Sequence, residues 1–361
     1  MDRDARPGLG RSAHDAYTGD ATMKMSPGKL WRSRRLADKD GFWKMVAIDQ
    51  RTPLFVPIAE KRGTKEPPRE DVVEVKRLIT KHLSPKASAL LIDPLYGYAN
   101  CINELPTDTG LIISYEHSIT ENTSKGRKSH PIPDWSVAKT RAVGGDACKV
   151  LAWYRPDADP EIIAHQQAFV QKAGEECAAN DMVMLLELLI YPLPGEDPKA
   201  LEAKREELVL ASLEPFCDPK YKIDIYKVEP PGLVHNVPDP DSKDAASLQG
   251  AYDRMGKMLP QPWVMLSAGA SAADFERSMN FAYRAGASGY LAGRAVWQDA
   301  FAHFPDYEAM EKGLAESSLV ILDRLNDLTE RKGTPWYRHS AFGGKVPEPD
   351  VQDAFPKGYA A

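Results

Sequence analysis

DACKVLAWY at 146–154, MVMLLELLI at 182–190 and IDIYKVE at 223–229 are three short, nearly continuous apolar runs. Between them lie PEIIAHQQAFVQKAGEECAAN (160–180) and KALEAKREELVLASLEPF (199–216), whose apolar residues recur at helical spacing. A strand that is apolar on both faces belongs to a parallel sheet covered on both sides, because each crossover returns through a helix. The same rhythm continues outward in both directions. Upstream stand WKMVAID (43–49), ASALLID (87–93) and GLIISYE (110–116), with a helical REDVVEVKRLITKHL at 69–83. Downstream stand WVMLSAG (263–269), a helical SAADFERSMNFAYRAG (271–286) and GYLAGRA (289–295). Eight strand–helix units in about 250 residues predict the α/β class and a closed (β/α)8 TIM barrel. No GxGxxG follows the first strand, which disfavours an open dinucleotide-binding sheet. Ser26-Pro27 ahead of KLWRSRRLAD places a cap and then proline at a helix start. It predicts an N-terminal extra helix at 26–38 that plugs the bottom of the barrel.

The bulk composition narrows the function classes. Of 361 residues, 43% are hydrophobic and 27% charged, the balance of a globular chain with a packed core. A formal net charge of -6 argues against nucleic acid or an anionic membrane as partner. Cys101, Cys148, Cys177 and Cys217 lie far apart without a CxxC, so they read as reduced thiols in a cytoplasmic protein. No apolar run approaches the ~20 residues of a membrane span. Residues 1–22 are polar and glycine-rich and read as a disordered leader, with Met23 or Met25 as the functional start. Residues 23–342 form the expected barrel, and 343–361 turn Pro/Gly-rich and read as a flexible tail. A homo-oligomer stays open.

Charges near the C-terminal ends of barrel strands are the informative exceptions, because that face carries the active site in this fold. The first strand ends Asp49-Gln50-Arg51 and the second Asp93. The fourth carries Lys149, the fifth Glu187, the sixth Lys227 and Glu229, and the eighth leads into Gly293-Arg294. Each charge alone is explained by a structural ion pair. Together, two lysines and two acids within apolar strands call for a shared polar cavity, since uncompensated buried charge costs several kcal/mol. Alternation places Ile223, Ile225, Lys227 and Glu229 inside the barrel, and Tyr226, Val228 and Cys148 outside. Lys149 and Lys227, on even-numbered strands, then become neighbours. A nearby cation and desolvation both favour a free amine on Lys227, the form that attacks a ketone. Glu187 on the intervening strand is placed to move protons. At the last two strands, LSAGASAADF puts Gly269 at a strand–helix turn, with Ser271 and Asp274 spaced as a capping pair. LAGRAVW adds Gly293 and Arg294, and the two turns together read as a phosphate grip.

These pieces resemble the class I tagatose-1,6-bisphosphate aldolase family, which also includes sulfofructose-phosphate aldolases. The resemblance rests on AIDQR (47–51), LLIDP (90–94), DACKVL (146–151), LLELLIYP (185–192), DIYKVEPP (224–231), LSAGAS (266–271) and GYLAGRAVW (289–297). It spans about residues 24–340. It implies a metal-free, cofactor-free lyase with Lys227 as the Schiff-base lysine, Glu187 as acid/base, and Lys149 and Asp49 assisting at the carbonyl and hydroxyls. Gln50 and Arg51 would meet the substrate. Ser267, Gly269, Gly293 and Arg294 would hold the phosphate of the dihydroxyacetone-phosphate half. The segments TPLFVPIAEKRG after Arg51, 117–135 and 231–247 depart from the family pattern and face the substrate, so they leave the sugar open.

Other readings compete. A metalloenzyme finds no HxH or HExxH among the eight histidines, and only His117 stands near a core strand end. A different reaction on a sugar phosphate could use the same lysines electrostatically. A barrel that senses a sugar phosphate without turnover is the non-enzymatic alternative. Trp153, Tyr154 and Trp297 read as packing residues. Lys125, Arg127 and Lys128 read first as a solvated loop, and second as a place for a further phosphate or a sulfonate.

Overall fold

The computed structural model describes residues 24–351 and Phe355. Eight parallel strands close into a barrel in sequential order. They are β1 (Trp43–Ala47), β2 (Ala89–Ile92), β3 (Gly110–Ser114), β4 (Ala147–Trp153), β5 (Val183–Leu189), β6 (Ile225–Val228), β7 (Trp263–Met265) and β8 (Gly289–Ala292). Each falls inside an apolar run of the sequence, and β8 pairs back onto β1 with Gly289 opposite Trp43. The TIM barrel follows from that closure.

Side-chain alternation splits the core in two. Inside the barrel, Met45, Leu91, Ile112, Leu185, Ile225 and Val264 pack together. Outside, Val46, Leu90, Ile113, Cys148, Tyr226 and Val228 pack against the helices. The expected facing of Lys227's neighbours holds except at Ile223, which joins the outer layer. Lys222 there adopts a left-handed φ of 53, and the strand begins only at Ile225.

The helix Pro27–Leu36 closes the lower end. Leu30 and Leu36 pack into the same cluster as the barrel interior, joined by Trp336 and Phe342 from the C-terminal side. Trp43 and Trp336 stack with ring centroids 6.2 Å apart. Lys29 reaches Asp224 at 2.7 Å and Arg35 reaches Asp146 at 2.8 Å, tying the helix to the entry of β6 and β4. Ser26 sits at the cap position, but its hydroxyl bonds Asp181 rather than the helix. The leader 1–22 lies outside the described residues. In the segment read as a tail, Glu348–Pro349 pairs in parallel with Lys24–Met25.

The helix Arg69–Leu83 matches its run of sequence, as does Pro160–Ala179 to within one residue. The stretch 199–216 differs: it forms Pro198–Ala203 and Arg205–Leu213, broken at Lys204, and then a tighter turn at Glu214–Cys217. Lys204 has φ -108 and ψ 7, outside the helical region. The break aims Arg205 at the barrel mouth, where it meets Glu229. No helix among the described residues is long and apolar enough to cross a membrane.

Candidate active site

A cavity of about 1410 Å³ opens at the C-terminal ends of the strands, and every site residue implied by the family resemblance lines it. Its floor is a cluster of charges. Glu187 on β5 and Lys227 on β6 are register partners. Lys227 Nζ donates to Glu187 Oε2 at 2.8 Å, and Lys149 Nζ lies 3.0 Å from the same oxygen. Lys149 also donates to Asp49 Oδ2 at 2.9 Å and to Glu116 Oε1 at 2.6 Å. All five side chains are buried. The two lysines are therefore neighbours, bridged by one carboxylate oxygen.

The electrostatics follow from that packing. Burial works against the Lys149 ammonium, yet Asp49, Glu116 and Glu187 overcome it and raise its pKa well above the usual range. Burial would likewise raise Asp49, but Lys149 and Lys227 outweigh it and hold the carboxyl well below the usual carboxylate range. Burial does win at Glu116, raising it despite Lys149 and Arg51. The three carboxylates converge on the Lys149 ammonium. Among the described residues no group of three His, Cys, Asp or Glu side chains is placed to hold a metal ion.

Glu116 was not singled out in the sequence. It follows Ser114 by two residues in GLIISYE, so it points inside only if the chain stays extended past the end of β3. A bridge to Pro131 keeps that segment extended beyond the end of β3. Besides Lys149, Glu116 accepts from Leu151 N at 3.1 Å and lies 3.5 Å from Arg51 Nη2.

Asp93 behaves differently from the other strand-end acids. It turns away from the cavity and pairs with Lys76 of the helix Arg69–Leu83 at 2.8 Å, both fully buried. Its Oδ1 accepts from Leu95 N and Tyr96 N, so β2 gives way to a turn where alternation would have pointed Asp93 inward. Glu229 does face the cavity, beyond Lys227. It accepts from Ile190 N at 2.7 Å and from Arg205 Nη1 at 2.7 Å. Burial pushes it up to about 7 in spite of Arg205.

The other wall combines the turns after β7, β8 and β1. Gly269 takes φ 83, a conformation that side chains rarely adopt, and Arg294 Nη2 stands 3.7 Å from where its Cβ would be. A Cβ on Gly293 would lie 2.6 Å from Gln50 Nε2 and 3.0 Å from Ala47 O, so only glycine lets these turns meet. Ser271 caps the helix Ala272–Arg284, accepting from Asp274 N at 3.1 Å, as the spacing predicted. Ser267 is buried beside them. Arg51 gives one hydrogen bond, Nη2 to Glu116 O at 3.1 Å. Its Nε and Nη1, and Gln50 Oε1, are buried without a partner among the described residues.

This geometry has clear relatives. A model of the DeoC/LacD family of aldolases matches residues 44–299, the whole barrel from β1 onward. The chain belongs to that family. The aldolase is 32% identical over 327 residues to tagatose 1,6-diphosphate aldolase 2 of Enterococcus faecalis, covering 87% of this chain and 97% of that one. It is 31% identical to the tagatose 1,6-diphosphate aldolase of Streptococcus pneumoniae over 87% of this chain and 99% of the relative. In fold it resembles fructose-bisphosphate aldolase from Plasmodium falciparum, with a TM-score of 0.63 at 12% identity over 87% of this chain and 98% of that one. An archaeal fructose-1,6-bisphosphate aldolase, solved with its catalytic Lys bound to the carbinolamine intermediate, gives 0.53 at 12% identity over 83% and 99%.

Proposed function

We propose that this aldolase cleaves a phosphorylated ketose, tagatose 1,6-bisphosphate or a close relative, to dihydroxyacetone phosphate and an aldehyde through a Schiff base on Lys227. The observation that carries the reading is the pair of buried amines, Lys227 and Lys149, bonded to one Glu187 oxygen at the foot of a large cavity. Attack needs the neutral amine, and Glu187 at 2.8 Å is in range to take the proton.

The amine adds to the ketone carbon, and loss of water from the carbinolamine gives an iminium. That cation draws in the electron pair of the breaking C3–C4 bond as the C4 hydroxyl yields its proton and the aldehyde leaves. Protonation of the enamine and hydrolysis then free dihydroxyacetone phosphate and restore the amine. Glu187 is the proton carrier in this scheme. Lys149 keeps its charge beside the substrate hydroxyls and carbonyl, and Asp49 orients it.

Arg294, with the turns at Ser267, Gly269 and Gly293, suits the phosphate of the dihydroxyacetone half. The unspent donors of Arg51, with Gln50, suit other oxygens of the substrate. Four free cysteines fit a reducing cytoplasmic setting. Borohydride reduction in the presence of dihydroxyacetone phosphate tests the proposal. It should leave a stable adduct on Lys227, found by peptide mass; no adduct, or one on Lys149, sinks it.

A further inference from the structure

The strand pair Glu121–Thr123 and Gly126–Lys128, in the segment 117–135, brings three cations together, and they meet different fates. Lys125 and Lys128 both turn outward to Glu161, at 2.9 and 2.7 Å. Arg127 turns inward and lines the cavity. Its guanidinium carbon stands 4.6 Å from the Trp153 ring centroid and 4.9 Å from that of Tyr191. Among the described residues it makes no ion pair and no side-chain hydrogen bond. Burial works against its charge, and only Tyr191 offsets this.

The backbone around it is pinned. Arg127 N donates to Tyr191 Oη at 3.0 Å, and a Cβ on Gly126 would meet that oxygen at 2.5 Å. The two rings meet edge to face at 89°, and the guanidinium lies over both while its N–H donors keep no partner among the described residues. A half-buried cation, fixed in orientation and short of a counter-charge, is built to receive an anion. The cavity also exceeds the roughly 300–1,000 Å³ of common small-molecule sites, so it has room for a group far from Lys227.

We infer that Arg127, set over the rings of Trp153 and Tyr191, binds an oxyanion at the far end of the aldehyde half of the substrate. It thereby selects acceptors that carry a terminal phosphate or sulfonate. The inference rests on the aldolase reading above and gives the hairpin a role in specificity.

Cleavage run backwards, as condensation at saturating dihydroxyacetone phosphate, tests it, comparing glyceraldehyde 3-phosphate with uncharged glyceraldehyde. Arg127→Met should lower the preference in kcat/KM for the phosphorylated aldehyde roughly tenfold, mostly through its KM, and Arg127→Lys should restore part of it. A three-carbon aldehyde ending in a sulfonate separates the two anions: whichever loses more in Arg127→Met is the better match. An unchanged preference, or equal losses for charged and uncharged aldehydes, overturns the inference, the latter marking Arg127 as a hairpin support. If the unaltered protein traps an adduct on Lys227 while the preference does not move, only this inference fails. If it traps none, the aldolase reading falls and takes the inference with it.

Discussion

Lys76 and Asp93 face each other behind the barrel wall, while Lys149 and Lys227 share Glu187 inside it. Both groups are buried, and both include an acid from at or near a barrel strand end. The outer pair is closed: Lys76 meets Asp93 at 2.8 Å and gives its remaining donors to Ile48 O and to Gln50 O. The inner group borders a cavity, and the neighbouring Arg51 still has two guanidinium nitrogens without a partner among the described residues. Burial of charge therefore does not mark a catalytic site by itself. Open space and unspent hydrogen-bonding capacity beside the charge do.

The comparison predicts opposite responses to substitution. The largest effect belongs to the inner group: Lys227→Ala should cut turnover by roughly 10⁵-fold or more, as loss of a covalent nucleophile does. Its melting temperature should move far less than that of an outer-pair variant. A variant that unfolds instead would make Lys227 a structural residue and erase the contrast.

Next comes the outer pair. Lys76→Met strands the Asp93 carboxylate in the wall and should cost about 3–5 kcal/mol of stability in denaturant titration. Unchanged stability would show that water reaches the pair and that it is no more closed than the inner group.

Smaller still, Arg294→Ala should raise the KM of a phosphorylated ketose by roughly ten- to a hundredfold, the size of one or two charge-assisted hydrogen bonds. Equal losses for an unphosphorylated ketose would remove Arg294 from the phosphate site.

A further effect concerns pH. Burial raises Glu229 from the ordinary 4.5 to about 7. Across that window the folded protein keeps a proton that the unfolded chain has released, so this residue makes stability fall as pH rises. Glu229→Gln should flatten the decline between those values. An unaltered slope in chemical denaturation would mean that Arg205 holds Glu229 ionised throughout.

Much of this was legible in the sequence because barrel strands are apolar on both faces, which makes any charge within them conspicuous. Lys149, Glu187 and Lys227 stood out for that reason, and period-two alternation gave their direction. Alternation carries only as far as the chain stays extended. It reached Asp49, since Ile48 N still bonds Leu91 O past the end of β1. It failed at Asp93, where the chain bends one residue after β2.

Glu116 was lost for the converse reason. Its segment stays extended through a bridge to residue 131, a long-range pairing that no local pattern announces. The same limit left Arg127 undistinguished from Lys125 and Lys128, the three of them a solvated loop or a place for a second anion. The inward turn of Arg127 depends on Tyr191, sixty-four residues away in sequence. The break at Lys204 that delivers Arg205 to Glu229 carried no proline or glycine to signal it.

The pairing of Lys24–Met25 with Glu348–Pro349 has a practical consequence for working with this molecule. Met25 packs against the cluster that closes the barrel floor, so this strand pair lies on the side opposite the cavity. A fluorophore or a surface linker attached to the exposed side chain of Lys24 or Glu348 is carried away from the mouth. A molecule tethered there presents its opening to the bulk solution, and substrate and product can pass without meeting the support.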